Sequence, residues 1–258
     1  MNQKQINGFT LVELLIAMAL TTVVMAVIVS AYQVQVRGKN TQEALTEMTQ
    51  TARAAFEIME SEIRMAGLDP TEDANARIIV ANVAELVFSL DRRSDGASNR
   101  PDGDCCDENE VVRFHLTNDG NDDGVNDNIA TGVECHLGRE TGGGLDPAQG
   151  CGGRNGLQPL ARNVDALNFV YLTDDNNGDG APDVMATPVA TQIARDAIRS
   201  IEVTIVARAG TASEGFRYDF TNNTDYFNQQ GVRILAATGD QFRRLRLATT
   251  ILCRNLGI

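Results

Sequence analysis

Phe9 to Val29 reads FTLVELLIAMALTTVVMAVIV, a run of about 21 residues whose one ionisable side chain is Glu13. At 1.5 Å per residue that helix is roughly 31 Å long, the thickness of a bilayer's hydrocarbon core. Lys4 precedes it, which places the N-terminus on the cytoplasmic side. A carboxylate inside such a span costs about 2.5–3.5 kcal/mol. No residue of opposite charge lies within the run. A partner for Glu13 is therefore expected from another chain.

Gly8-Phe9-Thr10-Leu11-Val12-Glu13-Leu14-Leu15 reads GFTLVELL, which resembles the cleavage and methylation motif of type IV prepilins. The resemblance implies that a prepilin peptidase cuts between Gly8 and Phe9 and that its methylase activity modifies the new terminus at Phe9. It implies also that Glu13 pairs with the Phe9 ammonium of a neighbouring subunit and sets the register of a filament. An ordinary secretory signal cut at Val29-Ser30-Ala31 would leave the length of the run and Glu13 unexplained.

Helical character continues beyond the apolar run. Leu45, Met48, Ala52, Ala55, Met59 and Ile63 recur at spacings of three and four, and Phe56 widens the stripe. Gly38 lies at the junction and weakens the helix there. Gly67 is a C-cap, with Pro70 beyond it. The expected division is a leader over 1–8, a transmembrane and filament-core helix over 9–37, and a periplasmic head over 38–258. Within the head, 38–66 is the amphipathic helix and 67–258 holds sheet and loops. Ala52 to Leu68, ARAAFEIMESEIRMAGL, resembles PilW-like minor pilins and the J-type pseudopilins of type II secretion.

After Gly67 the period shortens. Residues 78–80, 85–90, 111–116, 166–172, 198–207 and 241–252 read as strands. Ile201, Val203 and Ile205 fall on one face, with Glu202 and Thr204 on the other. The fold class is α+β and pilin-like: a long N-terminal helix, transmembrane and then amphipathic, packed on an antiparallel sheet with long loops. The apolar fraction of 43% excludes a disordered chain, and a net charge of −13 argues against nucleic acid as a partner.

Two loops repeat. Leu116 to Asp127 reads LTNDGNDDGVND and Leu172 to Asp183 reads LTDDNNGDGAPD. The first offers Asp119, Asn121, Asp123, the Val125 carbonyl and Asp127. The second offers Asp175, Asn177, Asp179, the Ala181 carbonyl and Asp183. Hard oxygens at alternate positions followed by glycine (Gly124, Gly180) suit calcium. The pattern resembles an EF-hand loop, except that Ala130 and Ala186 stand where that loop has its bidentate glutamate. Calcium is the expected cofactor, one or two ions, bound in the range of about 10⁻⁴–10⁻³ M.

Cys105, Cys106, Cys135, Cys151 and Cys253 lack the spacing of a zinc ribbon and are read as disulfide candidates of an exported head. The expected pairing is Cys135–Cys151, with Cys253 joined to Cys105 or Cys106. His115 and His136 are read as structural. No Gly-x-Ser-x-Gly, P-loop or HExxH motif occurs, so a structural subunit is expected rather than an enzyme. The readings in order are a minor pilin of the pilus tip complex, a type II secretion pseudopilin, and a tip adhesin with calcium-stabilised loops. The partners implied are the peptidase, other minor and major pilins, and the inner membrane. The chain would cross that membrane once before entering a pilus or pseudopilus.

Overall fold

The computed structural model describes residues 9–92, 100–210 and 221–256. The chain forms two compact units, Met1–Ala44 and Leu45–Ile258. Helix α1 spans Leu11–Ile63. Its start is fixed by Thr10, whose carbonyl accepts from Leu14 N at 3.2 Å.

In the first unit every apolar side chain from Phe9 to Val34 is exposed. Three of its hydroxyl groups are satisfied within the helix. Thr21, Thr22 and Ser30 donate to the carbonyls of Ala17, Met18 and Ala26 at 2.7, 2.7 and 2.8 Å. Hydroxyl groups closed in this way leave the stretch from Leu14 to Ala31 presenting a largely apolar surface. By length and composition α1 can cross a membrane. The helix continues through Gly38.

In the second unit the expected stripe turns inward. Met48, Ala52, Ala55, Met59 and Ile63 are buried, and Phe56 is half-buried against the same core. The helix ends four residues before Gly67. Met65 N and Ala66 N bond to the carbonyls of Glu62 and Ile63, which tightens the last turn. Gly67 then takes φ of +76°, the left-handed cap that glycine permits.

Ten strands follow. They are β1 (Ile78–Ala81), β2 (Leu86–Ser89), β3 (Val111–Leu116), β4 (His136–Thr141), β5 (Asn155–Arg162), β6 (Val164–Leu172), β7 (Ser200–Arg208), β8 (Tyr226–Phe227), β9 (Arg233–Leu235) and β10 (Arg244–Leu252). A five-stranded sheet has the order β1-β2-β3-β4-β5, a three-stranded sheet β10-β7-β6, and β8 with β9 makes a ribbon. Every pairing is antiparallel. Both larger sheets share one core with α1: Phe88, Phe114 and Leu137 from one, Phe169, Val203 and Ile251 from the other, against Ala55, Met59 and Ile63. A short helix, α2 (Gln192–Asp196), precedes β7 and is capped by Thr191.

One expectation is corrected. The stretch between β3 and β6 is not all loop, because it contains β4 and β5. β4 reads HLGRET and β5 reads NGLQPLAR, too short of β-branched residues to stand out from their surroundings. The face of β7 that carries Glu202 and Thr204 is buried too. All nine of its residues are buried, and the segment 222–244 covers that side. Glu202 there accepts from Gln230 Nε2 at 3.0 and 3.1 Å. Asn168 accepts from Asn228 at 3.0 Å. Asp165 binds Arg244 Nε at 2.7 Å, with Arg208 Nη1 at 3.8 Å. Buried polar side chains are tolerable because they meet one another.

β6 would be an edge strand, yet it too is buried along its whole length. Its free side is bonded by loops. Asn126 N donates to Asp165 O, Leu167 N to Gly124 O, Phe169 N to Val83 O, and Met185 N to Tyr171 O, all at 2.8–3.0 Å.

Candidate functional site

The N-terminal motif places Thr10 and Glu13 one helical turn apart. Glu13 Oε2 accepts from Thr10 N at 2.9 Å and from Thr10 Oγ1 at 3.0 Å, and Thr10 Oγ1 accepts from Glu13 N at 3.3 Å. This is a capping box, in which each side chain serves the other's backbone. The expectation that Glu13 has no partner in its own helix is corrected: Thr10 supplies two neutral donors. The Thr-x-x-Glu spacing was the signal that could have revealed it. Phe9 is 92% exposed, outside the first turn. Gly8 lies outside the described residues.

The two Asp-rich loops share four contacts at equivalent positions. Asp119 Oδ2 and Asp175 Oδ2 each accept from a glycine amide, Gly124 N and Gly180 N, at 2.8 Å. Asn121 and Asn177 accept from Asp123 N and Asp179 N at 3.3 and 2.9 Å. Asp123 and Asp179 accept from Val125 N and Ala181 N at 2.8 and 2.9 Å. Asp127 and Asp183 close each loop on Gly120 N and Asn176 N, at 2.8 and 3.0 Å. The repeat in sequence is thus a repeat in geometry. Among the described residues, no group of three or more His, Cys, Asp or Glu side chains is arranged to hold a metal ion.

Their settings differ. The first loop is docked: Gly124 and Asn126 are buried, and Val125 bridges Ala166 in β6. Burial, the largest influence on Asp119, raises its pKa, with Asp122 and Asp123 adding to the effect. Residues 174–182 of the second loop are all exposed. There the amides of Gly180 and Gly178 hold the Asp175 carboxyl below its ordinary range.

The cysteine pairing is corrected. Cys106 is bonded to Cys151, their Cα atoms 5.4 Å apart, a separation that suits a disulfide. Cys105, Cys135 and Cys253 are free and buried. Cys135 and Cys253 lie in the central core, away from the loops that the sulfur–sulfur bond joins. Gly143 makes room for the bond, since a Cβ there would stand 2.5 Å from Cys151 Cβ. Burial pushes the thiols of Cys105 and Cys253 up to about 12.

His115 and His136 sit on β3 and β4. His115 Nδ1 lies 2.9 Å from Leu116 O, and its Nε2 is 3.9 Å from Glu140. Arg113 binds Glu85 at 2.5 Å and Glu140 at 3.0 Å. Burial, then the Arg113 charge, lowers the pKa of His115. His136 Nδ1 is 3.8 Å from Glu134.

Residues 3–29 match the family described as the prokaryotic N-terminal methylation motif. A solved structure similar to this chain is a type IV-like pilin from Thermus thermophilus. It is 12% identical, with a TM-score of 0.46, over 81% of this chain and 98% of that one. No curated protein matches the chain.

Proposed function

We propose that this chain, whose residues 3–29 carry the prokaryotic N-terminal methylation motif, is a minor pilin: a structural subunit of a type IV pilus, not an enzyme. The observation that carries the reading is the motif itself, with Gly8-Phe9 at the cut and Glu13 five positions into the mature chain. An exposed apolar helix supports it, because such a surface must be covered by lipid or by sister helices. On this reading the peptidase releases Phe9 as a methylated terminus. The apolar stem holds the subunit in the inner membrane, and the head waits in the periplasm until the stem moves into the base or tip of a fibre. Other minor and major pilins are its partners there. The same physics serves a type II secretion pseudopilin, the second reading.

The capping box refines the role of Glu13. Thr10 lowers the cost of keeping Glu13 in lipid before assembly. A neighbour's Phe9 ammonium then supplies the opposite charge within the filament.

Calcium in the Asp-rich loops belongs to the proposal too. What favours it is the spacing of oxygen-bearing side chains at alternate positions and the set of four side-chain–backbone contacts that both loops share. The ions would stiffen the head and not take part in a reaction.

Mass spectrometry of the chain isolated from its native host tests the main reading. The expected N-terminus is methylated Phe9. A terminus at Met1 or Tyr32 would refute it. Deleting the gene should abolish surface pili if the chain is a minor pilin, and exoprotein release if it is a pseudopilin.

A further inference from the structure

The outer margins of the two larger sheets are β1, β5, β6 and β10, and all but one are covered or interrupted. β6 is bonded by loops along its outer side. On β1, Ala81 O accepts from Val189 N at 3.0 Å, and Ile78 O accepts from Gln192 Nε2 and Arg195 Nε, each at 3.2 Å. β5 is interrupted by Pro159. β10 differs. It pairs with β7 in one unbroken register from Arg244↔Arg208 to Leu252↔Ser200, and it holds neither glycine nor proline.

Alternation decides which of its groups face outward. At the two ends of the ladder, Ala209 N donates to Arg243 O at 2.8 Å and Cys253 N donates to Arg199 O at 2.9 Å. Odd-numbered residues of β10 therefore turn their backbone groups toward β7, and even-numbered ones turn theirs away. The outward N–H and C=O groups are those of Arg244, Arg246, Ala248, Thr250 and Leu252. None of them meets a hydrogen-bond partner among the described residues. The side chains of Arg246, Ala248, Thr250 and Leu252 are exposed, while Leu245 and Leu247 on the opposite face are half-buried. The strand is also held in place: Arg246 Nε donates to Phe227 O, and Gln229 bonds to Thr249 O at 2.9 Å and to Thr250 Oγ1 at 3.2 Å. A fixed, regular margin with open backbone groups is what strand addition requires.

Charge selects the partner. The chain carries a net −13, yet residues 241–258 hold four arginines and no acid. Arg244 is matched by Asp165 and Asp240. Arg246 meets the neutral Phe227 carbonyl, and Arg254 lies just past the strand. Both are exposed, and neither has an ion-pair partner among the described residues. A second copy's β10 would bring no acid to them. Carboxylates on one face of an incoming strand would meet Arg246, and apolar residues on its other face would cover Leu245 and Leu247.

We propose that the outer margin of β10 is a docking edge for an extended segment of a different protein, in which acidic and apolar residues alternate. That segment joins the β10-β7-β6 sheet as a further strand beside β10.

The test uses the full chain in detergent and a fluorescent, end-blocked heptapeptide of alternating valine and glutamate. A valine–lysine peptide of the same length is its opposite. The glutamate peptide should bind saturably by fluorescence anisotropy and slow hydrogen exchange at the Ala248 amide; the lysine peptide should leave that amide unprotected. Ala248→Pro removes an outward N–H and no bond to β7, a place where an edge strand accepts proline. It should keep the melting temperature and weaken the glutamate peptide about tenfold or more. Arg246→Glu keeps every outward amide and should reverse the preference between the two peptides, which decides the matter if Ala248→Pro does not fold. No binding of the glutamate peptide up to about 1 mM, or undiminished binding to folded Ala248→Pro, would overturn the proposal. So would an Arg246→Glu variant that binds both peptides as the unaltered chain does. A dimer of the full chain that Ala248→Pro splits into monomers would overturn it too, since a second copy would then fill the margin.

Discussion

Arg139 in β4 grips Glu62 near the end of α1. Its Nε lies 2.9 Å from each carboxylate oxygen, and its Nη2 lies 2.8 Å from Oε1. Asn109 Oδ1 receives a further bond from Nη2 at 3.2 Å. Both charges are largely shielded from water, so removing one strands the other. Arg139→Ala should destabilise the head by about 3 kcal/mol. Replacing both residues with apolar ones of similar size should cost less than either single change. Urea unfolding of the two single variants and the double variant measures the coupling.

Gly124 and Gly180 hold equivalent positions in the two loops, with φ of +83° and +86°. A Cβ at Gly124 would stand 2.2 Å from Leu167 O, whereas one at Gly180 meets nothing within 4 Å. Gly180→Ala should therefore cost only the left-handed backbone, about 1–2 kcal/mol. Gly124→Ala should cost more than that and loosen β6. Hydrogen exchange at Leu167, whose amide bonds to Gly124 O at 2.8 Å, reports the difference.

Cys106 and Cys151 are 45 residues apart, so losing their bond should cost about 4 kcal/mol on loop-closure grounds. The free thiols of Cys105, Cys135 and Cys253 are buried, and burial raises the pKa of each. An alkylating reagent at pH 8 should label none of them in the folded chain and all three in urea. Labelling of Cys106 or Cys151 in unreduced protein would contradict the pairing.

His115 gives a pH dependence with a definite sign. Burial and then Arg113 lower its pKa below the ordinary 6.5, so the unfolded chain takes up the proton first as pH falls. Stability from this group is complete above 6.5 and is lost as pH drops from there toward the folded value. His115→Gln should remove that part of the slope and leave the carboxylate titration at lower pH. Melting curves between pH 7 and pH 5 for the two proteins test this.

The long helix and its buried stripe were legible because period and burial agree from Met48 to Ile63. The repeated loops were legible because turn chemistry is local. β4 and β5 were not: Gly138 and Pro159 interrupt them, and what stabilises them is pairing with β3 and with each other, which no local pattern encodes. The disulfide escaped for the same reason. The expected partner of Cys151 was Cys135, but the fold puts Cys135 in the core and brings Cys106 to Cys151 instead. At the N-terminus the reading attended to charge and passed over Thr10, whose neutral donors do part of that work.

The backbone bonds that Gly124, Asn126, Val83 and Met185 make along β6 have a consequence for the chain at high concentration. An open strand margin recruits identical margins, and crowded copies then condense into cross-linked sheets. Here that margin is occupied by short pieces of three separate loops, none of which can itself be extended as a template. β5, at the far side of the other sheet, carries Pro159 and two breaks in register, which blunt it as well. Crowded copies are thereby steered away from joining along these two margins.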